Sequence, residues 1–236
     1  GSEATAVVVV VQAIRAESPQ ASIALLVRAR SHLVDIAAEL RRAGLHPTAV
    51  ELHSLANQPL ISDLVALTRP LEHLADRTAW LSVLRAPWCG LTLADLAALA
   101  EGDSRPVVEL LEDDARLDRL SADGRARIAR VGPVLQRAVE LTARMPGADR
   151  IEQAWQLLGG PACLASESER ADAEQFFVHL FAHEDENGGQ IDVYALQDSL
   201  TSLFAAPEAG SDPAFHVMTI HKAKGLEFDH VIVPRL

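Results

Sequence analysis

Residues 22–52 read SIALLVRARSHLVDIAAELRRAGLHPTAVEL, and three patterns follow one another within them. Residues 22–27 are a short apolar run of strand length. The period then changes, because Leu33, Ile36, Ala37 and Leu40 recur at the three- and four-residue spacing that lays one apolar stripe on an α-helix. Ser31 stands where a helix N-cap belongs, and Gly44 where a left-handed C′ residue belongs. HPTAVEL returns to strand composition. Parallel strands need a crossover, usually helical, so strand, helix, strand reads as one parallel unit and the fold class as α/β.

Upstream lies GSEATAVVVVVQAIRAE, an apolar run too short to span a bilayer and without a basic leader. Downstream, from Asn57 to about Ala206, the pattern is helical, with seven or eight helices expected. The breaks are expected at Pro87, Gly90, Gly102, Gly132-Pro133, Pro146-Gly147 and Gly159-Gly160-Pro161. Thr92 and Asp76 have the position and chemistry of N-caps, and Ala173, Phe176, Phe177 and Leu180 form a core-facing stripe. AAPEAGSDP, residues 205–213, reads as a linker, after which FHVMTI and HVIVPRL regain strand character. The two ends are expected to build one partial parallel sheet from residues 1–53 and 214–236, interrupted by a large all-helical insertion at 54–213.

The totals narrow the function classes. At 236 residues, 49% hydrophobic and 23% charged, the chain has the composition of an ordinary globular protein and not of a disordered one. Its two cysteines, Cys89 and Cys163, lie far apart outside any CxxC spacing; this fits a reducing compartment, with the cytoplasm as the expectation, and gives no zinc site. The formal charge of -12 argues against a nucleic-acid surface until its distribution is read. Residues 54–213 hold 26 of the 33 acidic and 13 of the 21 basic residues, a local -13, which leaves the two ends at +1. Phosphate is repelled by the middle and not by the ends.

Between the last two strands stands TIHKAKGLEF, residues 219–228, which holds the only lysines of the chain, Lys222 and Lys224. It follows a strand, so its polar groups fall at the carboxyl end of the sheet, where open α/β sheets bind ligands. Thr219 brings a hydroxyl, His221 an imidazole, the lysines compact charges, Gly225 room for close backbone approach, and Glu227 a carboxylate suited to a ribose hydroxyl. It is not a Walker A loop, which sets glycines before the lysine and Ser or Thr after it, and no GxxxxGK[ST] occurs in the chain.

The ten residues resemble motif V of superfamily 1A DNA helicases, the UvrD/Rep/PcrA and RecB/AddA group. Thr219, His221, Lys224, Gly225, Leu226, Glu227 and Phe228 match that pattern. IALLVRARSHLVDIAAELRRAGLHPTAVE is similar to the motif IVa strand and helix, with Arg28 at the family arginine and Arg30 where asparagine is frequent. The stretch leading to PWCGL, residues 87–91, is most like RecB/AddA-type exonuclease-helicases at the entry to their helical 2B subdomain.

The resemblance implies a partial RecA-like subdomain 2A interrupted by a 2B insertion, as a piece of a longer protein with Walker A, Walker B and motif IV before residue 1 and motif VI after residue 236. For that parent it implies an ATP-dependent 3′-to-5′ DNA helicase of recombination or repair, with an exodeoxyribonuclease subunit as one form of it. The cofactors implied are ATP and Mg²⁺. Single-stranded or duplex DNA and a nuclease or RecC/AddB-like subunit are the implied partners, and no membrane is. Residue by residue it implies ATP contacts at Gly225 and Glu227, and DNA contacts at Thr219, His221, Lys224, Arg28 and Arg30. No catalytic set is complete in this chain, so no ATPase activity is expected of it alone. The alternative reading is an acidic helical protein-interaction module without enzymatic activity.

Several other patterns are expected to be structural. VALTRP, residues 65–70, mimics motif VI but precedes motif V, so Arg69 is expected to be a solvated helix arginine. His179 and His183 share a helix face at i, i+4 but lack the Glu of HExxH and a fixed third ligand, so no metal is expected there. Glu109, Glu112, Asp113, Asp114 and Asp118 read as a solvated acidic helix face, with no basic or glycine-rich partner nearby that suggests paired-carboxylate catalysis. Trp80, Trp88, Trp155 and Cys89 are expected to be buried.

Overall fold

Residues 23–27 are pure apolar strand, and their burial between two neighbours organises one half of the protein. The computed structural model describes residues 3–27, 33–49, 54–204 and 210–234. The chain divides into two compact units, Gly1–Ser54 with Leu203–Leu236, and Leu55–Ser202. The α/β half thus takes back its chain at Leu203, with its strand starting at Asp212, slightly ahead of the expected residue 214.

In the first unit, helix α1 (Glu3–Glu17) leads to strand β1 (Ile23–Val27), helix α2 (Leu33–Arg42) and strand β2 (Pro47–Ala49); β3 (Asp212–Thr219) and β4 (His230–Ile232) follow. The four strands make one sheet in the order β2-β3-β1-β4, every pair parallel. β1 runs beside β3 from Ile23 opposite Phe215 to Val27 opposite Thr219. Alternation puts Ile23, Leu25, Val27, Phe215 and Val217 on the face that meets Ala4, Val7 and Val11 of α1 and Ile36 and Leu40 of α2. Each valine, leucine, isoleucine or phenylalanine among them contributes about 1.5–3 kcal/mol relative to exposure. Ser31, the expected N-cap of α2, lies outside the described residues. The other end of α2 closes as expected: Gly44 has φ +71°, Leu45 N–H donates to the Leu40 carbonyl at 2.9 Å and Gly44 N–H to that of Arg41 at 3.0 Å, a Schellman closure.

α1 adds a helix that the residues do not announce, because a run of five valines has β propensity. Burial at Ala4, Val7 and Val11 overrides that preference. Arg15, in its last turn, donates to the carbonyl oxygens of Pro19 at 3.2 Å and Ala21 at 2.5 Å and pairs with Asp212 at 2.7 Å, fixing where β3 begins.

The second unit is all helical and fully described: α3 (Pro59–Glu72), α4 (Arg77–Arg85), α5 (Leu93–Ala100), α6 (Val107–Leu110), α7 (Asp114–Leu117), α8 (Ala122–Glu140), α9 (Gly147–Leu158), α10 (Glu167–Glu186) and α11 (Val193–Leu200). Nine helices stand where seven or eight are expected, because α6 and α7 are single turns too short to show a period. Asp76 caps α4 by accepting from Ala79 N–H at 2.9 Å, and Thr92 caps α5 by accepting from Asp95 N–H at 3.1 Å. Trp80, Trp88, Trp155, Phe176 and Cys89 are buried, and burial pushes the Cys89 thiol up to about 11.

Two expectations are corrected. Gly132-Pro133 does not break the chain, since α8 runs through it. Pro133 and Ala129, whose carbonyl it leaves without a helical donor, both face solvent, while Ile128, Val131, Leu135 and Ala138 are buried and hold the helix on either side. The acidic residues 109–118 do not form one helix face either. Asp113 is the N-cap of α7 and pairs with Arg105 at 2.6 Å; Arg105 also pairs with Asp103 at 2.7 Å, and Asp103 with Arg116 at 3.1 Å. The basic partner of Asp113, Arg105, lies eight residues upstream in sequence.

Pro133→Ala restores a helical N–H at an exposed position. We expect a gain of about 2 kcal/mol in chemical denaturation, from about 3 kcal/mol of helix preference less the lost stiffness of the unfolded chain; unchanged or lower stability would show that the proline shapes the helix.

Candidate functional site: the loop after the central strand

β3 ends at Thr219, and its last rung to β1 is made just beyond, by Ile220 N–H donating to the Val27 carbonyl at 3.1 Å. The chain must then pass β1 to reach β4 on its far side. It does so in residues 220–229, short for a parallel crossover, which ordinarily takes a dozen or more. The economy comes from tight turns. The Thr219 carbonyl accepts from Lys222 N–H at 3.0 Å and from Ala223 N–H at 3.3 Å, and the Ala223 carbonyl accepts from Leu226 N–H at 3.0 Å. Gly225 takes φ +85°, a left-handed conformation that side chains disfavour. A Cβ there would meet nothing within 4 Å, so the glycine leaves open backbone as well as the turn.

The return is latched. The Asp229 carboxylate accepts from Ser22 N–H and from Ser22 Oγ, each at 2.8 Å, while Asp229 N–H donates to Ser22 Oγ at 2.9 Å and His230 N–H to the Ser22 carbonyl at 3.0 Å. Hydrogen bonds from the Ser22 backbone and then its side chain hold the Asp229 carboxyl below its ordinary range. Phe228 packs on His216, centroid to centroid 5.5 Å, on the sheet face opposite the two helices.

Between these anchors His221, Lys222, Lys224, Gly225, Leu226 and Glu227 are exposed, and Thr219 is half-buried. Among the described residues, the side chains of Thr219, His221, Lys224 and Glu227 make no hydrogen bond or ion pair. Lys222 differs, because its ammonium lies 5.9 Å from the centre of the Phe204 ring. Phe204 forms an antiparallel bridge with Ser54, at the two points where the chain leaves and re-enters this unit. The structure therefore puts Thr219, His221, Lys224, Gly225 and Glu227 on one loop at the carboxyl end of a parallel sheet. Arg28 and Arg30 lie outside the described residues.

No protein-family model and no curated protein matches this chain. The loop presents two ammonium groups, an imidazole, a hydroxyl and one carboxylate around open glycine backbone, a donor-rich surface suited to phosphate with one acceptor for a hydroxyl-bearing ligand.

The other patterns resolve without a reactive centre. Arg69 is not simply solvated: its Nε and Nη2 donate to Asp76 Oδ2 at 3.0 and 2.6 Å. His179 Nε2 lies 2.7 Å from Ser199 Oγ, and burial followed by the nearby His183 lowers its pKa. Among the described residues no group of three or more metal-ligating side chains comes together. Sequence reading missed Ser22, Asp229 and Phe204. A serine 207 positions from its aspartate carries no local signal.

The Asp229 latch fixes a pH window. A depressed carboxyl pKa contributes stability that is present above the unfolded value of about 3.9 and is lost as pH falls through the folded value. The amide resonances of Ser22 and His230 should titrate with a midpoint below about 3.9, and Ser22→Ala should move it back upward. A midpoint that ignores Ser22→Ala would break the latch assignment.

Proposed function

We propose that this chain is part of an ATP-dependent DNA helicase of the superfamily 1A kind, nearest the RecB/AddA type, working in the cytoplasm in recombination or repair. In this reading the loop 219–228 links a nucleotide to single-stranded DNA. The observation that carries the reading is the placement of the motif-like residues: half-buried Thr219 and exposed His221, Lys224 and Glu227, their side chains without hydrogen bonds or ion pairs among the described residues, on a glycine turn after a strand paired on both sides. No helix of the described residues is long and apolar enough to cross a membrane.

The roles divide by chemistry. Thr219 and His221 offer short donors to a DNA backbone, and Lys224 a flexible charge for a phosphate. The open backbone at Gly225 admits a nucleotide edge, and the Glu227 carboxylate accepts from a ribose hydroxyl. The residues present thus fit a nucleotide's edge. They do not supply its hydrolysis, which in P-loop enzymes needs a phosphate-cradling GxxxxGK[ST] loop that does not occur in this sequence. ATP with Mg²⁺ would supply the driving energy in the parent enzyme, and a nuclease or RecC/AddB-like subunit would be its partner.

The test is the salt dependence of single-stranded DNA binding by the purified chain. If Lys224, Lys222 and, by the resemblance, Arg28 are the main phosphate contacts, the slope should correspond to about three phosphates or fewer. Lys224→Ala should lower it by about one, and Lys222→Ala by less, because that ammonium is engaged with Phe204. A folded chain with no measurable DNA affinity would overturn the reading in favour of the acidic interaction module. ATP turnover should stay at background; turnover abolished by Glu227→Ala would contradict the incomplete-site assignment.

A further inference from the structure

The helical unit contains a cleft of about 250 Å³ between α3, α4 and α11 that neither the loop nor the DNA reading uses. Its floor is apolar, with Ile61, Val65, Ala79 and Leu200 all buried. Its polar rim carries Arg69, Thr78, Ser82 and Gln197. No carboxylate lines it, in a segment where acidic residues outnumber basic ones two to one, 26 against 13 over residues 54–213.

Arg69 is held in place. Its Nε and Nη2 both donate to Asp76 Oδ2, and Asp76 Oδ1 is spent on capping α4 at Ala79 N–H. One edge of the guanidinium is thus fixed by a carboxylate that is itself fixed, while Nη1 makes no hydrogen bond among the described residues. The Arg69 side chain lines the cleft and remains 35% exposed, and its outer edge, Nη1 with the second proton of Nη2, is not taken by Asp76. Thr78 Oγ1 and the Gln197 amide are likewise uncommitted among the described residues. The Ser82 hydroxyl donates to the Thr78 carbonyl at 2.9 Å and keeps its acceptor lone pairs.

We propose that this cleft binds a small monocarboxylate with an apolar body, its carboxylate taken by the outer edge of Arg69 with help from Thr78 and its hydrocarbon laid on Ile61, Val65 and Leu200. A guanidinium edge and a carboxylate match in a two-point geometry that an alcohol or an amine does not provide. The size fits too, being below the ~300–1,000 Å³ of drug-sized sites and so suited to a fragment or a chain-end carboxylate. The site stands independently of the DNA reading.

The test is a proton–nitrogen NMR titration of the chain with hexanoate, hexanol and hexylamine. Hexanoate should shift the amides of residues 61–69, 78–82 and 197–200 saturably, with a dissociation constant on the order of 1 mM, at least tenfold tighter than either comparator. Ala66→Leu, which fills the cleft, should abolish the shifts with the circular dichroism unchanged. Thr78→Val, at an exposed position, should weaken binding about threefold or more, and this keeps the test open should the leucine disturb folding. A peptide with an apolar carboxyl-terminal residue, compared with its amide, separates the sources. Tighter binding of the free-acid peptide than of hexanoate assigns a chain end, and the reverse assigns a free acid; either supports the site. Equal binding of hexanoate and hexanol, or no saturable shift at these amides, overturns it.

Discussion

The pairing of β1 with β3 is the constraint on which the α/β unit rests. It joins residues 23–27 to residues 215–219 in parallel, with the whole helical unit lying between them in sequence. Closing so long a loop costs only about 2–3 kcal/mol more than closing one of ten residues. The bridge between Ser54 and Phe204 lowers that cost further, because the chain leaves and returns at one point. Once β3 is beside β1, Thr219 ends at the carboxyl edge of the sheet, and the short connection to β4 has to turn tightly over residues 220–229. The exposure of His221, Lys224 and Glu227 follows from that geometry.

Where polar groups are spent distinguishes this loop from the rest of the molecule. In the helical unit buried charged groups are spent on fixed partners, although Arg150 keeps an unpartnered Nε. Arg150 donates to Glu72 at 2.6 Å and to the Leu71 carbonyl at 3.1 Å; Glu184 accepts from the first two amides of α9, at 2.6 and 3.0 Å. Asp95, also buried, accepts from Thr92 Oγ1 at 2.7 Å and from Ser121 N–H at 2.7 Å, and these bonds lower its pKa. Perturbed carboxylates are often signs of a reactive site. Asp95 instead ties the start of α5 to the start of α8, and a group so engaged has little left to offer a ligand. The side chains of His221, Lys224 and Glu227 are exposed and make no hydrogen bond or ion pair among the described residues, which is the condition for taking phosphate at low cost.

Much of this was legible in the sequence where local rules govern. The change from strand run to helical period at residues 22–42, the C′ glycine at Gly44 and the caps at Asp76 and Thr92 are local features, and the structure has them. α1 was not legible, because its valines favour strands until Ala4, Val7 and Val11 meet the sheet. Pro133 misled for the same reason in reverse: its position on a solvated helix face depends on packing that no window of sequence contains. The acidic stretch 109–118 looked like one helix face because α6 and α7 are single turns with no readable period, and Asp113 meets Arg105 only in the folded chain. At the loop, the residue types of 219–228 were readable in place. The Ser22–Asp229 latch and the engagement of Lys222 with Phe204 were not, since both join positions far apart in the chain. That engagement also separates the two lysines of the protein, Lys222 at the Phe204 ring and Lys224 uncommitted.

The most direct test of the central claim is amide hydrogen exchange of the chain with and without saturating single-stranded DNA at low salt. If the loop after β3 is the contact, exchange should slow within residues 219–229 and stay unchanged across residues 55–202. Protection confined to the helical unit, with the loop exchanging as before, would contradict it.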